Sequence, residues 1–487
     1  MAGLNHIYMN ITDSITKNQT LLQELLPAND VVFSPFKICK HKALVVYIDS
    51  VCEKEIIGEL IIAPLISLSG KLTLEKLIDS VRSPTATIVP TLDECVDLLL
   101  NGSALVFVNG LKGAINVEML KYTSRAVTEP PTSAVVKGPR EGFTENLKTN
   151  LGLLRRRIKS PNMIVEKLVV GKYTKTDINV IYINTIADDK VVKSVISRIK
   201  KMNIDGVVDS SYVAKFIVEH KFSILKQVGN TEKPDILTAK LLEGRVAIMV
   251  DGSPIVITVP YMLVEDFQSS EDYFQNNYRS NMQRVIRFTS IVIAIFLPAA
   301  FVSAQLFHLQ IIPLNFLLTI VNSIKGIPLS PSFEMFFTLL IFEILNEASI
   351  RMPKYVGMAL SIVGALVLGD TAVRAGIVST PTIMIMALSG ISLYTVPELV
   401  DSMSFLRLIY LMVAGSIGGY GLILLTCYII IYLSALENFD VPVLAPFVPL
   451  TKEDLKDSVL MTFLRDMKKR PKTLKPKDTV RIKNDKS

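Results

Sequence analysis

The sequence predicts an α/β N-terminal region of two small cytosolic subdomains, followed by an all-α polytopic membrane domain. Three observations predict it. Charge thins abruptly: residues 288–435 hold 11 Asp, Glu, Lys or Arg in 148 positions, against 86 in the remaining 339. Within that stretch, apolar runs approach the roughly 20 residues that a helix needs to cross hydrocarbon. Before it, short apolar runs with strand character alternate with amphipathic segments at helical period. A chain of 487 residues suits two or three domains. The boundaries read as a first subdomain over 1–122, a linker over 123–142, a second subdomain over 143–287, membrane helices over 288–435 and a basic tail over 436–487.

In order, 42–49 (KALVVYID) reads as a buried strand, and 53–68 and 73–83 as helices. Residues 93–103 form a helix stopped by Asn101-Gly102, and 104–119 a hairpin with a Gly-bearing turn. The linker carries Pro130-Pro131 and Pro139 and has little to bury. A helix over 143–160 follows, with Thr144 as a candidate cap and Arg155, Arg156 and Arg157 in its last turns as a solvated basic face. From Met163 the pattern is two strands, a helix over 188–203, two further helices, and a hairpin around Asp251-Gly252. No internal repeat is visible.

The apolar region divides into Phe288–Ile312, a broken segment Pro313–Pro331, Phe333–Ile350, Tyr355–Gly369, Thr380–Val396 and a single long run Phe405–Ala435. This gives four to six crossings. The last run, at 31 residues, needs tilt, a kink or an interfacial start. The first residues lack a basic stretch followed by an apolar one, so residues 1–287 are expected in the cytoplasm. Arg279, Arg284 and Arg287 precede the first span, and ten Lys/Arg against three Asp/Glu fill Arg465–Ser487. Basic flanks mark the cytoplasmic side, so both termini are expected there. The tail beside a membrane segment suits anionic lipid rather than nucleic acid.

Five blocks carry a resemblance. They are VVKGPREGFTENLKTNLGLLRRRIKS (135–160), GRVAIMVDGSPIVITVP with FQSSEDYF after it (244–274), EASIRMP (347–353), VGALVLGDTAVRAGIVSTP (363–381) and APFVP (445–449). In this order they resemble the A subunit of the GerA-type spore germinant receptor family. The resemblance implies a spore inner-membrane protein that works with a transporter-like B subunit and a lipoprotein C subunit, oligomerises, and acts in nutrient-triggered germination with early cation release.

Ionisable groups at membrane depth are expensive and usually face a bundle interior, a cavity or an ion path. Glu343, Glu347 and Arg351 fall at helical spacing among apolar neighbours, the last two in the favourable acid-first order. They read as the lining of a pore or subunit interface, as a structural pair, or as groups snorkelling to the interface. Asp370 and Arg374 repeat the spacing near a helix end, where a structural and a functional pair stand side by side. Together these five are the candidate ion path, cation-selective if its acids dominate. Glu398 and Asp401 read as solvated loop charges, and His308 as a satisfied polar contact. Lys137, Gly138, Pro139, Arg140, Glu141 and Gly142 lack the GxxxxGK[ST] phosphate-loop pattern and read as an ordered interdomain linker. Four cysteines at unrelated spacings read as free thiols. With no catalytic constellation, metal-ligand spacing or cofactor motif in view, the expectation is a non-enzyme without cofactor, and a non-conducting scaffold is the rival to a channel.

Overall fold

The computed structural model describes residues 9–119, 137–353, 356, 364 and 367–482. Most of the expected linker 123–142 and most of the expected segment Tyr355–Gly369 lie outside the described residues. The chain forms two compact units. One comprises 1–221, 227–261 and 467–487; the other comprises 222–226 and 262–466.

The first unit is built twice from one pattern. Its first half runs α1 (Ile15–Leu25), β1 (Val31–Ile38), β2 (His41–Ile48), a helical stretch Lys54–Ile57 and Ala63–Ile66 joined by a π turn, α2 (Leu74–Ser80), β3 (Thr87–Val89), α3 (Leu92–Leu100), β4 (Ser103–Val108) and β5 (Ala114–Glu118). Its second half runs α4 (Leu147–Arg157), β6 (Met163–Val170), β7 (Thr176–Ile183), α5 (Asp189–Lys200), α6 (Ser210–Ile217), β8 (Gly229–Thr231), α7 (Pro234–Glu243), β9 (Val246–Val250) and β10 (Val256–Val259). The two antiparallel sheets have strand orders β1-β2-β4-β5-β3 and β6-β7-β9-β10-β8, the same topology position for position. Alternation along β2 sends Ala43, Val45 and Tyr47 into one apolar cluster and Leu44, Val46 and Ile48 into another, so helices cover both faces.

This overturns the expectation of no repeat. What recurs is a small polar framework, too sparse to register as sequence similarity. Asn18 accepts from the Thr12 amide (2.9 Å) and hydroxyl (2.7 Å) and donates to the Thr12 carbonyl (2.7 Å). Asn150 does the same with Thr144, at 2.7, 3.2 and 2.5 Å. Thr144 therefore does not cap α4; Asn146 does, accepting from the Thr149 amide. The β4–β5 and β9–β10 turns each need a glycine at positive φ, Gly110 at +91° and Gly252 at +84°. Each glycine amide donates to the residue after the framework threonine, Asp13 or Glu145, at 2.8 Å.

The halves meet along α4. Arg155 is no part of a solvated face: it is buried and grips Asp30 through Nε–Oδ2 (2.9 Å) and Nη2–Oδ1 (2.8 Å). Lys148 reaches Asp49 at 3.0 Å. A Cβ on Gly152 would lie 2.5 Å from the Ser50 carbonyl oxygen. The matching face of the second half is covered by the C-terminal segment. Arg470 Nε donates to the Leu242 carbonyl (2.8 Å) and the Lys477 amide to that of Ile186 (2.8 Å). Lys477 Nζ reaches the Asn184 carbonyl (2.9 Å) and Asp189 Oδ1 (2.7 Å), and Leu474 is buried.

The second unit is helical: α8 (Asn277–Phe307), α9 (Leu314–Ile324), α10 (Pro331–Arg351), a π turn Val367–Thr371 leading into Ala372–Arg374, α11 (Thr380–Leu393), α12 (Val400–Ile417) and α13 (Gly419–Ala435). Among the described residues, two stretches, Asn277–Phe307 and Pro397–Ile417, are long and apolar enough to cross a membrane; α9, α11 and α13 are shorter apolar helices. α8 starts 11 residues before the apolar run, with Asn276 capping its first turn. Two of the three arginines at its start turn inward. Arg284 is buried against Asp272 Oδ2 and Asp457 Oδ1, both at 2.9 Å, and Arg287 holds Asp272 Oδ1 at 2.7 Å. Burial pushes the Asp272 carboxyl up, but Arg287, the Ser269 amide and Arg284 outweigh it and hold it below the usual range. The expected single run Phe405–Ala435 is two helices, α12 and α13. Gly418 breaks it at φ +73°, where a Cβ would come 2.7 Å from Phe307.

Candidate functional site

α10 carries most of the sequence-predicted site. Pro331 at its first turn needs no amide partner, and the helix ends just before Pro353. Four ionisable side chains line its 21 residues: Glu334, Glu343, Glu347 and Arg351.

Glu347 and Arg351 pair as spaced, Nε to Oε1 at 2.6 Å, with side chains 60% and 78% exposed. Asp370 and Arg374 pair likewise at 2.6 Å, with Asp370 inside the π turn and both side chains exposed. Glu343 is not part of the Glu347–Arg351 network. It turns to another helix, where Arg407 Nη2 of α12 donates to its Oε1 at 2.6 Å. Arg407 is 3% exposed in its side chain and Glu343 36%. Behind the arginine, Nη1 donates to Ser389 Oγ of α11 (3.1 Å), and Ser389 donates to the Ala294 carbonyl of α8 (2.7 Å). The structure thus threads four helices on one polar chain, while both exposed pairs remain local.

Sequence reasoning missed Arg407 and Glu334. Each stands alone in an apolar run without an opposite charge three or four residues away, so helical spacing gives no signal. Glu334 is buried and accepts from both the amide (2.7 Å) and the hydroxyl (2.6 Å) of Ser379. Ser379 is the N-cap of α11, so the carboxylate sits at a helix N-terminus, where the exposed amides and the dipole favour negative charge. Glu398 is no free loop charge, because Lys226 bridges it and Asp266, each at 2.9 Å. His308 closes α8 as its C-cap residue.

The described part of the linker, Lys137–Gly142, is anchored to α4. Glu141 takes Arg157 at 2.8 Å and also pairs with Arg156. Burial raises the Glu141 carboxyl, but these two guanidinium groups hold it below the ordinary carboxylate range. Gly138 sits at φ +124°, a conformation suited to glycine.

Known proteins resemble this chain along most of its length. The family model described as Bacillus/Clostridium GerA spore germination protein matches residues 19–473. Spore germination protein KA of Bacillus subtilis (strain 168) is 34% identical over 482 residues, covering 97% of this chain and 88% of that protein. Spore germination protein B1 of the same organism is 32% identical and covers 97% and 100%. The uncharacterized membrane protein YfkQ, also from that organism, is 33% identical and covers 94% and 90%. Among solved structures, the N-terminal domain of the A subunit of the Bacillus megaterium spore germinant receptor GerK3 is 28% identical, covering 53% of this chain and 98% of that one, with a TM-score of 0.41. The chain belongs to the GerA family.

Proposed function

We propose that this GerA-family chain is the membrane-embedded A-type subunit of a nutrient germinant receptor, and that copies of it oligomerise into a nutrient-gated cation channel. It sits in the spore inner membrane with both termini cytoplasmic and works with a transporter-like B subunit and a lipoprotein C subunit. It has no enzymatic role. The observation that carries this reading is the pair of exposed ion pairs, Glu347–Arg351 and Asp370–Arg374, on helical segments that are mostly apolar. Such groups against hydrocarbon are costly, and a water-lined path or a neighbouring copy removes that cost. The mechanism is allosteric. Nutrient bound elsewhere in the complex shifts this subunit between closed and open arrangements, by no more than the nutrient's differential affinity for the two.

A second reading, a non-conducting scaffold that relays the signal, draws on a specific feature. Glu343, Glu347 and Asp370 each have an arginine partner, so these three candidate acids present no surplus negative charge of their own. Ion flux through liposomes containing the purified full-length protein separates the two. A channel gives nutrient- or assembly-dependent cation flux, and a scaffold gives none. In spores, Glu347→Ala with normal receptor assembly is expected to slow nutrient-triggered cation release; unchanged release sinks the ion-path assignment.

A further inference from the structure

We propose that Arg407 sets the ion preference of this path by holding Glu343, withdrawing one acid per copy from the permeating ions. The inference rests on the channel reading above and deepens it. Arg407 brings a positive charge into the helical unit at a buried position on α12, where water cannot screen it. Its guanidinium is fixed from two sides. Nη2 meets Glu343 Oε1 at 2.6 Å, and Nη1 meets Ser389 Oγ at 3.1 Å. Ser389 has already committed its proton to the Ala294 carbonyl at 2.7 Å, so its oxygen turns a lone pair to the arginine. Among the described residues Nε has no acceptor, so Glu343 is the sole anion that balances the charge.

Glu343 faces both ways. One oxygen is bound to the buried arginine, yet 36% of its side chain is open at the surface of the bundle. One turn along α10, Glu347 is also open, but its partner Arg351 is itself exposed on a long, solvent-reaching side chain. An exposed i, i+4 pair of this kind is weak and exchanges its partners easily. The two acids are therefore not equivalent. Glu343 is balanced by a charge locked in place, and Glu347 by one that can swing aside. Two acids then stand against two arginines on this face, and ion preference depends on how firmly Arg407 keeps its acid.

Reversal potentials of the full-length protein in planar bilayers under a KCl gradient test this. Arg407→Gln releases Glu343 and is expected to raise the potassium-over-chloride permeability ratio about thirtyfold, because a unit charge about 4 Å away in water favours the cation about fivefold and disfavours the anion by the same factor. Glu343→Gln leaves the arginine alone and is expected to lower the ratio by a similar factor. Arg407→Lys keeps the charge, and the double variant Glu343→Gln/Arg407→Gln restores neutrality, so both are expected within about twofold of wild type. A merely structural pair would change assembly but not this ordering. Where Arg407→Gln fails to assemble, Glu343→Gln and the double variant still decide. Wild-type conductance with a ratio that neither Glu343→Gln nor Arg407→Gln moves overturns the role of Arg407 and leaves the channel intact. A wild-type protein that conducts nothing overturns the channel reading and this inference with it.

Discussion

The two halves of the first unit share a topology and a Thr–Asn framework, but they differ in what covers one equivalent face. In the first half that face, around Asp49 and Ser50, receives α4 of the second half, with Lys148 on Asp49 and Gly152 beneath Ser50. In the second half the corresponding face, around Asn184 and Ile186, receives the C-terminal segment, with Lys477 on Asn184 and Asp189. Each face is thus closed by a lysine-bearing segment from later in the chain. The helices that carry the framework diverge where the docking occurs. Gly152 and Arg155 on α4 stand where α1 has Thr20 and Gln23. A threonine at 152 would drive its Cβ into the Ser50 carbonyl, and a glutamine at 155 would leave Asp30 buried without a cation. The lesson is that a duplicated unit keeps the residues that make its fold and changes those that make its neighbour.

The largest way to break that comparison is Arg155→Met. It strands the buried Asp30 carboxylate, and removing one partner of a buried pair typically costs about 3–5 kcal/mol. Hydrogen exchange on the full-length protein should show protection of β1 and α4 falling by roughly two to four decades, at about 1.4 kcal/mol per decade. The double change Asp30→Leu/Arg155→Met should recover most of it, and no recovery would mean the pair does more than close the seam.

Truncation before Met467 comes next. It uncovers the face around Asn184 and Ile186 and removes the buried Leu474, whose burial contributes about 1.5–3 kcal/mol. Exchange should rise in β7 and α7 while β2 and α3 stay protected; a uniform rise across both halves would refute a local cap. Smaller again are Asn18→Ala and Asn150→Ala. Each removes three hydrogen bonds of one framework and should cost about 1–3 kcal/mol through the buried groups left unpaired. If the two sites are the same device, the losses should match to within about 0.5 kcal/mol and add in the double variant.

The sequence made part of this legible. Strong local signals survived: the Gly-bearing turn within 104–119, the turn at Asp251-Gly252, and the pairs Glu347–Arg351 and Asp370–Arg374 were all readable, because each depends on residues close together in sequence. What escaped depends on long separations. Asp30 and Arg155, or Glu343 and Arg407, are brought together by packing that no local periodicity encodes. The repeat escaped for a related reason. ITDSITKNQTLL and FTENLKTNLGLL agree at four positions of twelve, and only the shared bonds of Thr12–Asn18 and Thr144–Asn150 reveal those matches as structure. Gly418 stood within an apolar run whose length called for tilt, a kink or an interfacial start without saying which, and its positive φ is a property of the fold rather than of composition.

The smallest expected effect is on acid sensitivity, and it probes the seam without touching the framework. Burial pushes the Asp49 carboxyl up, but hydrogen bonds and attraction from Lys148 and Lys54 outweigh this and leave it below its ordinary value. A carboxyl held low in the folded state adds stability that is fully present above its unfolded pKa of about 3.9 and is lost as pH falls through the folded value. The seam should therefore keep its full strength at neutral pH and loosen only below about pH 4. The matching position on the second half, Asn184, contributes a backbone carbonyl that does not titrate. Lys148→Ala should accordingly flatten part of the acid dependence of exchange at the seam while leaving the contact of Lys477 with the Asn184 carbonyl unaffected. An acid profile that is identical with and without Lys148 would show that Asp49 does not couple the two halves.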